Sequence, residues 1–230
     1  MIRAVLFDVG GPIDVETARE AAYDRAMTAA LTAEGFPAAE RDLAEASMAA
    51  VTSFAPSAYR AIIWSLCGRD AARAQAAYAR FSTLSADLPD IEPRAGIADV
   101  LAGLRDRGLR LGLAANQSHE VLDRLDAHGL GAFFDHRELS CTHGYRKPDV
   151  RLFLRCCEDL DVSPEDCIMV GDRIDNDIAP ANALGMRTVL FRTGRHIAQQ
   201  PRSWDEQPCA EVASVPELAG ALESLIGGAT

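Results

Sequence analysis

The chain opens on an apolar run over residues 2–7, closed by Asp8 and then Gly10-Gly11-Pro12, which predicts a short strand feeding a tight loop. From Glu16 to about Ala86 the period changes. Ala, Leu, Met, Tyr and Phe recur at helical spacing, and breaks at Gly35-Phe36-Pro37, Pro56 and Gly68-Arg69-Asp70 divide the stretch into four helices. After Pro89 and Pro93, strand-like and helix-like runs alternate. Helices are predicted over 97–107, 118–128 (capped by Ser118), 149–160 and 178–184, and a last one begins at Ser214 and Pro216. Strands are predicted over 109–114, 133–139, 167–170 and 188–191, with 193–210 read as a long polar loop.

Strands that alternate with helices point to an α/β fold with a parallel, doubly wound sheet. The helical block is then an all-helical insertion after the first strand. The expected division is residues 1–14 and 91–230 for a Rossmann-like core and 15–90 for the insertion. In such sheets ligands bind beyond the carboxyl ends of the strands, where Asp8, Asn116 and Asp172 all fall.

Composition narrows the class. A 230-residue chain that is 48% hydrophobic and 25% charged reads as globular, and a formal net charge of −11 without a basic stripe argues against nucleic acid. The N-terminal apolar run is too short for a signal sequence and no stretch is long enough to span a bilayer, so neither a membrane nor export is expected. Six cysteines without a CxxC pair suggest reduced, mostly buried thiols in a cytoplasm, and the five histidines are dispersed. Among 22 arginines there is one lysine, Lys147, in Gly144-Tyr145-Arg146-Lys147-Pro148-Asp149. Where Arg supplies every other cation, a retained compact ammonium suggests a site built for it. Asp8, Asp172 and Asp177 bring hard oxygen ligands from separate strand ends, as a magnesium site requires. Capping explains any one of these acids, but not all three beside the lone lysine.

Phe7-Asp8-Val9-Gly10-Gly11 before a helical insertion, then Leu113-Ala114-Ala115-Asn116, Lys147-Pro148-Asp149, and Val170-Gly171-Asp172 with Asp177, resembles the haloacid dehalogenase-like (HAD) hydrolase superfamily. The resemblance covers nearly the whole chain. It implies a magnesium-dependent (Mg2+) phosphatase acting on a small phosphorylated metabolite, in which Asp8 attacks phosphorus to give an aspartyl phosphate. It further implies metal ligation by Asp8, the Gly10 carbonyl and Asp172, with Asp177 ordering the ligand shell and Lys147 neutralising charge. Gly11, Ala115 and Asn116 would meet the substrate phosphate. The insertion is expected to be a mobile cap that excludes water and reads the substrate.

Two positions depart from the family pattern. Gly10 stands where phosphatases carry a second Asp as general acid and base, and Ala115 stands where Ser or Thr binds a phosphate oxygen. Pro12 also replaces a usual Thr and removes a backbone donor. Asp14 is a candidate displaced acid, though a turn or hinge role suits it better. Phosphonate-cleaving relatives use a lysine in the insertion, and residues 15–90 hold none. Two other readings therefore stay open: a catalytically impaired member that binds a phosphorylated ligand or partner, and a metal-independent 2-haloacid dehalogenase, against which Asp172 counts. Tyr59, Arg60 and Trp64 share one predicted helix and could face the site, although aromatics so spaced more often pack between helices.

Overall fold

The computed structural model describes residues 1–86 and 90–228; the break anticipated at Pro89 lies outside them. The chain divides into two units. One comprises Met1–Val15, Ile91–Gly194 and Pro201–Thr230, the other Glu16–Asp90 and Arg195–Gln200.

The second unit is built from α1 (Thr17–Ala33), α2 (Glu40–Thr52), α3 (Ala58–Leu66) and α4 (Ala71–Leu84). Met27, Leu31, Ile62, Ile63 and Phe81 meet in its core. Tyr59 packs there too, its ring 4.7 Å from that of Tyr23 and 5.5 Å from that of Phe81. Trp64 instead lies at the surface, and the Arg60 guanidinium stacks 3.8 Å over Tyr78.

The first unit carries a parallel sheet of β1 (Ala4–Phe7), β2 (Arg110–Ala115), β3 (His136–Leu139), β4 (Cys167–Gly171), β5 (Arg187–Phe191) and β6 (Ala210–Val212), in spatial order β3-β2-β1-β4-β5-β6. Its helices are α5 (Ile97–Asp106), α6 (Glu120–Ala127), α7 (Ser140–His143), α8 (Val150–Asp159), α9 (Ala179–Ala183) and α10 (Val215–Gly227). Residues alternate between faces along a strand, and both faces of β1 are buried. Val5 and Phe7 join Leu101, Leu113 and Leu218 in one layer, while Ala4 and Leu6 join Phe153, Cys156 and Met169 in the other. Gly112 lets α8 approach this second face closely: a Cβ there would lie 2.8 Å from a Leu6 methyl and 3.0 Å from one of Leu160. The order of connection reverses at β1, whose Phe7 lies opposite Leu113 of β2 and Val170 of β4. The ends of these three strands therefore meet at a switch point.

Several elements differ from the sequence reading, among them the short helix Ser140–His143, which it did not include. Ser118 does not cap α6; its hydroxyl hydrogen-bonds the Glu120 carboxylate, and the helix starts at Glu120. The third strand is shorter than predicted, because a 3-10 turn (Gly131–Phe133) precedes it. Between Asp172 and α9, where no element was predicted before Ile178, Ile174–Ile178 form a π turn. Finally, the stretch 193–210 is ordered by 3-10 turns at Arg195–Ala198 and Trp204–Glu206, with Gln199 and Glu206 buried, and β6 begins at its end. Among the described residues, no helix is long and apolar enough to cross a membrane.

Candidate active site

Asp8 follows β1 directly, and its own backbone N–H donates to Val170 O of β4 at 2.9 Å. Its Oδ1 accepts from the Val9 N–H at 2.8 Å and lies 3.1 Å from Lys147 Nζ. Both contacts fall on Oδ1. Lys147 Nζ also donates to Asp177 Oδ1 at 2.5 Å, and its side chain is only 1% exposed, so the ammonium is committed to these two acids. Burial pulls the Lys147 ammonium down, but Asp177 and Asp8 outweigh it and hold the group above its ordinary value. Burial likewise pushes the Asp177 carboxyl up, against the pull of Lys147. The second Asp177 oxygen accepts from the Arg173 N–H at 3.0 Å.

Asp8, Asp172 and Asp177 each present a carboxylate oxygen within 4.8 Å of the others. Glycine backbones make this crowding possible. A Cβ on Gly171 would fall 2.3 Å from Asp177 Cβ, and one on Gly11, at φ +81°, would fall 2.6 Å from Asp172 Cβ. Three carboxylates against one ammonium leave two negative charges among hard oxygens, a donor set that fits a divalent cation.

The other expected site residues take varied places. Asn116 spends both ends of its amide on the Lys147 backbone: Oδ1 accepts from Lys147 N at 2.8 Å and Nδ2 donates to Lys147 O at 3.0 Å. It therefore positions the lysine. Ala115, the last residue of β2, is fully buried, and Gly10 and Gly11 are buried in the loop after Asp8. Asp14 is 1% exposed and accepts from Glu92 N at 2.8 Å, where the chain re-enters the sheet unit, so its carboxylate ties the two crossing segments together. Asp175 is paired with Arg173 at 2.5 Å.

One contributor was not visible in the sequence. Arg94 donates through Nε to the Gly11 carbonyl and through Nη2 to Thr193 Oγ1 at 2.6 Å, with its guanidinium 4.6 Å over the Phe191 ring. It braces the loop after Asp8, and nothing in local sequence sets it apart from the other arginines.

Comparisons with known proteins identify the family. A family model for haloacid dehalogenase-like hydrolases matches residues 2–185. The chain is 32% identical over 136 residues to a glyceraldehyde 3-phosphate phosphatase of Methanopyrus kandleri, a match covering 59% of this chain and 58% of that relative. The chain thus spans little more than half that relative's length. Among solved structures, a protein of Haemophilus somnus described as a predicted phosphoglycolate phosphatase superposes with a TM-score of 0.73 at 16% identity, covering 96% of this chain and 98% of the other. A 2-haloacid dehalogenase of Pseudomonas syringae pv. Tomato does so with a TM-score of 0.61 at 22% identity, covering 98% and 100%. At such identities these two show the fold alone. With the family match extending from the first strand through α9, the chain belongs to the haloacid dehalogenase-like hydrolases.

Proposed function

We propose that the protein is a magnesium-dependent phosphatase that cleaves a small phosphorylated metabolite through an aspartyl phosphate on Asp8. The observation that carries this reading is the buried Lys147 ammonium, 3.1 Å from Asp8 and 2.5 Å from Asp177, beside a third carboxylate on Asp172. Displacement of halide from carbon makes no use of a metal carboxylate such as Asp172, whereas a transferring phosphoryl group brings charge that a metal and an ammonium offset.

Asp8, Asp172 and the Gly10 carbonyl would hold the magnesium ion, with Asp177 beside them. When bound, it would offset negative charge on the phosphoryl oxygens. A carboxylate oxygen of Asp8 forms the new O–P bond as the ester oxygen departs with the electron pair of the old one. Water then attacks the aspartyl phosphate, releasing inorganic phosphate and restoring the carboxylate. Lys147 stays charged throughout and offsets the charge between Asp8 and the transferring group.

Gly10 supplies no proton to the departing oxygen. General acid catalysis is worth roughly 10²–10⁴-fold, about 3–5 kcal/mol of barrier, and its loss falls on leaving groups that must be protonated. Aryl and acyl phosphates suffer least. Phosphate release from p-nitrophenyl phosphate and acetyl phosphate should therefore exceed release from glyceraldehyde 3-phosphate or a sugar phosphate, and should need magnesium. Gly10→Asp should raise turnover of the unactivated esters by about 10²-fold or more.

Gly10 and Ala115 together favour a second reading, a binding protein for a phosphorylated ligand. Tight magnesium-dependent ligand binding with no phosphate release from any ester would establish it and sink the first. Halide release from a 2-haloacid without metal would instead establish a dehalogenase.

A further inference from the structure

Away from the Asp8 centre, two histidines and a pair of acids that lie far apart in sequence converge at the free edge of the sheet. His136 and Glu138 are two residues apart on edge strand β3 and so project to the same face. Asp159 ends α8, which packs on that strand. His136 Nε2 lies 3.3 Å from Glu138 Oε2 and 3.4 Å from Asp159 Oδ2, and all three ligand atoms lie within 4.8 Å of one another.

We propose that His136, Glu138 and Asp159 form a zinc site, sharing no residue with the candidate active site. An imidazole nitrogen carries at most one proton, so it cannot serve two carboxylates as a donor with equal effect. Both separations exceed the roughly 2.7–2.9 Å of a charge-assisted N–H···O bond. They match the spacing of ligand atoms around one tetrahedral ion: zinc bonds of about 2.0–2.2 Å set neighbouring ligands about 3.3–3.6 Å apart.

The surroundings fit as well. The Glu138 side chain is 1% exposed, and its other oxygen, Oε1, lies 2.9 Å from His143 Nδ1, the kind of outer partner that fixes a ligating carboxylate. Arg155 Nη2 approaches Asp159 Oδ2 at 3.6 Å, while Nη1 of the same side chain is bound to Glu158. With neutral imidazoles, the carboxylates of Glu138, Asp159 and Glu158 against Arg155 leave two negative charges for a divalent ion to balance. An imidazole ligand selects zinc over magnesium, which prefers oxygen alone. His136 is 20% and Asp159 36% exposed, so water can reach a fourth position. Bound there, the ion would tie α8 to β3 and, through His143, to the turn that leads on to Lys147.

The test uses the tag-free, metal-stripped full chain, titrated with zinc in millimolar magnesium and, separately, with cobalt followed by absorption. We expect one equivalent of zinc, a rise in the thermal midpoint, and a tetrahedral cobalt spectrum without a thiolate charge-transfer band. Asp159→Asn, at the surface, and His136→Gln should each weaken zinc binding at least about tenfold. Asp8→Asn/Asp172→Asn should leave it intact. Unchanged zinc binding in Asp159→Asn, loss of binding in the Asp8/Asp172 variant, a thiolate band, or no uptake by the wild type would each overturn the proposal.

Discussion

Lys147 is held by three residues: its ammonium by Asp8 and Asp177, and its backbone N–H and C=O by Asn116. A guanidinium is larger, planar and forked, and does not fit between two carboxylates 3.1 and 2.5 Å away. Lys147→Arg should lower phosphate release by about 10²-fold or more, on the scale of losing one preorganised donor. Lys147→Ala should also destabilise the metal-free chain by about 3 kcal/mol, near the low end for breaking a buried pair because Asp177 can take up a proton. Chemical denaturation with and without magnesium checks this. Gly171 sets a second test, since alanine there would overlap Asp177 Cβ at 2.3 Å. Gly171→Ala should displace Asp177 and cut activity at least tenfold; an active, equally stable variant would refute that role. At this scale much was legible. Asp8, Lys147, Asp172 and Asp177 stood out as strand-end acids around a single lysine, and the fold brings them together. The geometry of Asn116 was not legible, because an amide after a strand looks the same whether it faces a ligand or a backbone.

Elements were legible where burial repeats over many residues and obscure where tertiary context decides. The four helices α1–α4 each send several apolar residues into one shared core, and the central strands are apolar on both sides. β6 has three residues and an exposed Glu211, and it exists as a strand because Val189 and Phe191 of β5 offer an edge to pair with. The stretch before it is fixed by Glu206, which folds back to accept from Arg202 N at 2.8 Å and Arg202 Nε at 2.9 Å. The Arg202 hydrogen bonds hold the Glu206 carboxyl below its ordinary value. A depressed carboxyl stabilises the fold above its unfolded pKa and loses that contribution as pH falls through the folded one. Glu206→Gln should therefore destabilise the protein at pH 7 by an amount on the order of 1 kcal/mol, given a half-exposed partner. The difference should hold down to the ordinary value of 4.5 and close below it, as urea midpoints across pH would show. His136, Glu138, His143 and Asp159 were unreadable for a related reason. Only strand pairing and the packing of α8 bring them together.

On the scale of the whole chain, the helical unit is larger than the insertion predicted over 15–90, because Arg195–Gln200 belongs with it. Arg195 secures that segment: Nη2 to Asp24 at 2.7 Å, Nη1 to Ser47 Oγ at 2.9 Å, its backbone N–H to Glu20 at 2.7 Å, and the guanidinium 5.3 Å over the Tyr59 ring. Arg195→Ala should speed amide hydrogen exchange across 195–200 while leaving β1, β2 and β4 protected. Equal protection in variant and wild type would show that the arginine is incidental. Where the chain leaves and re-enters the sheet unit, Val15 N donates to Glu92 O and Arg94 N to Ile13 O, each at 2.8 Å, beside the Asp14 contact to Glu92. Those bonds give any chimera a narrow seam at which to swap helices between relatives. Arg195 adds a second seam a hundred residues downstream, so a graft of residues 16–90 alone would arrive missing part of its own wall. Donor residues 195–200 must travel with it.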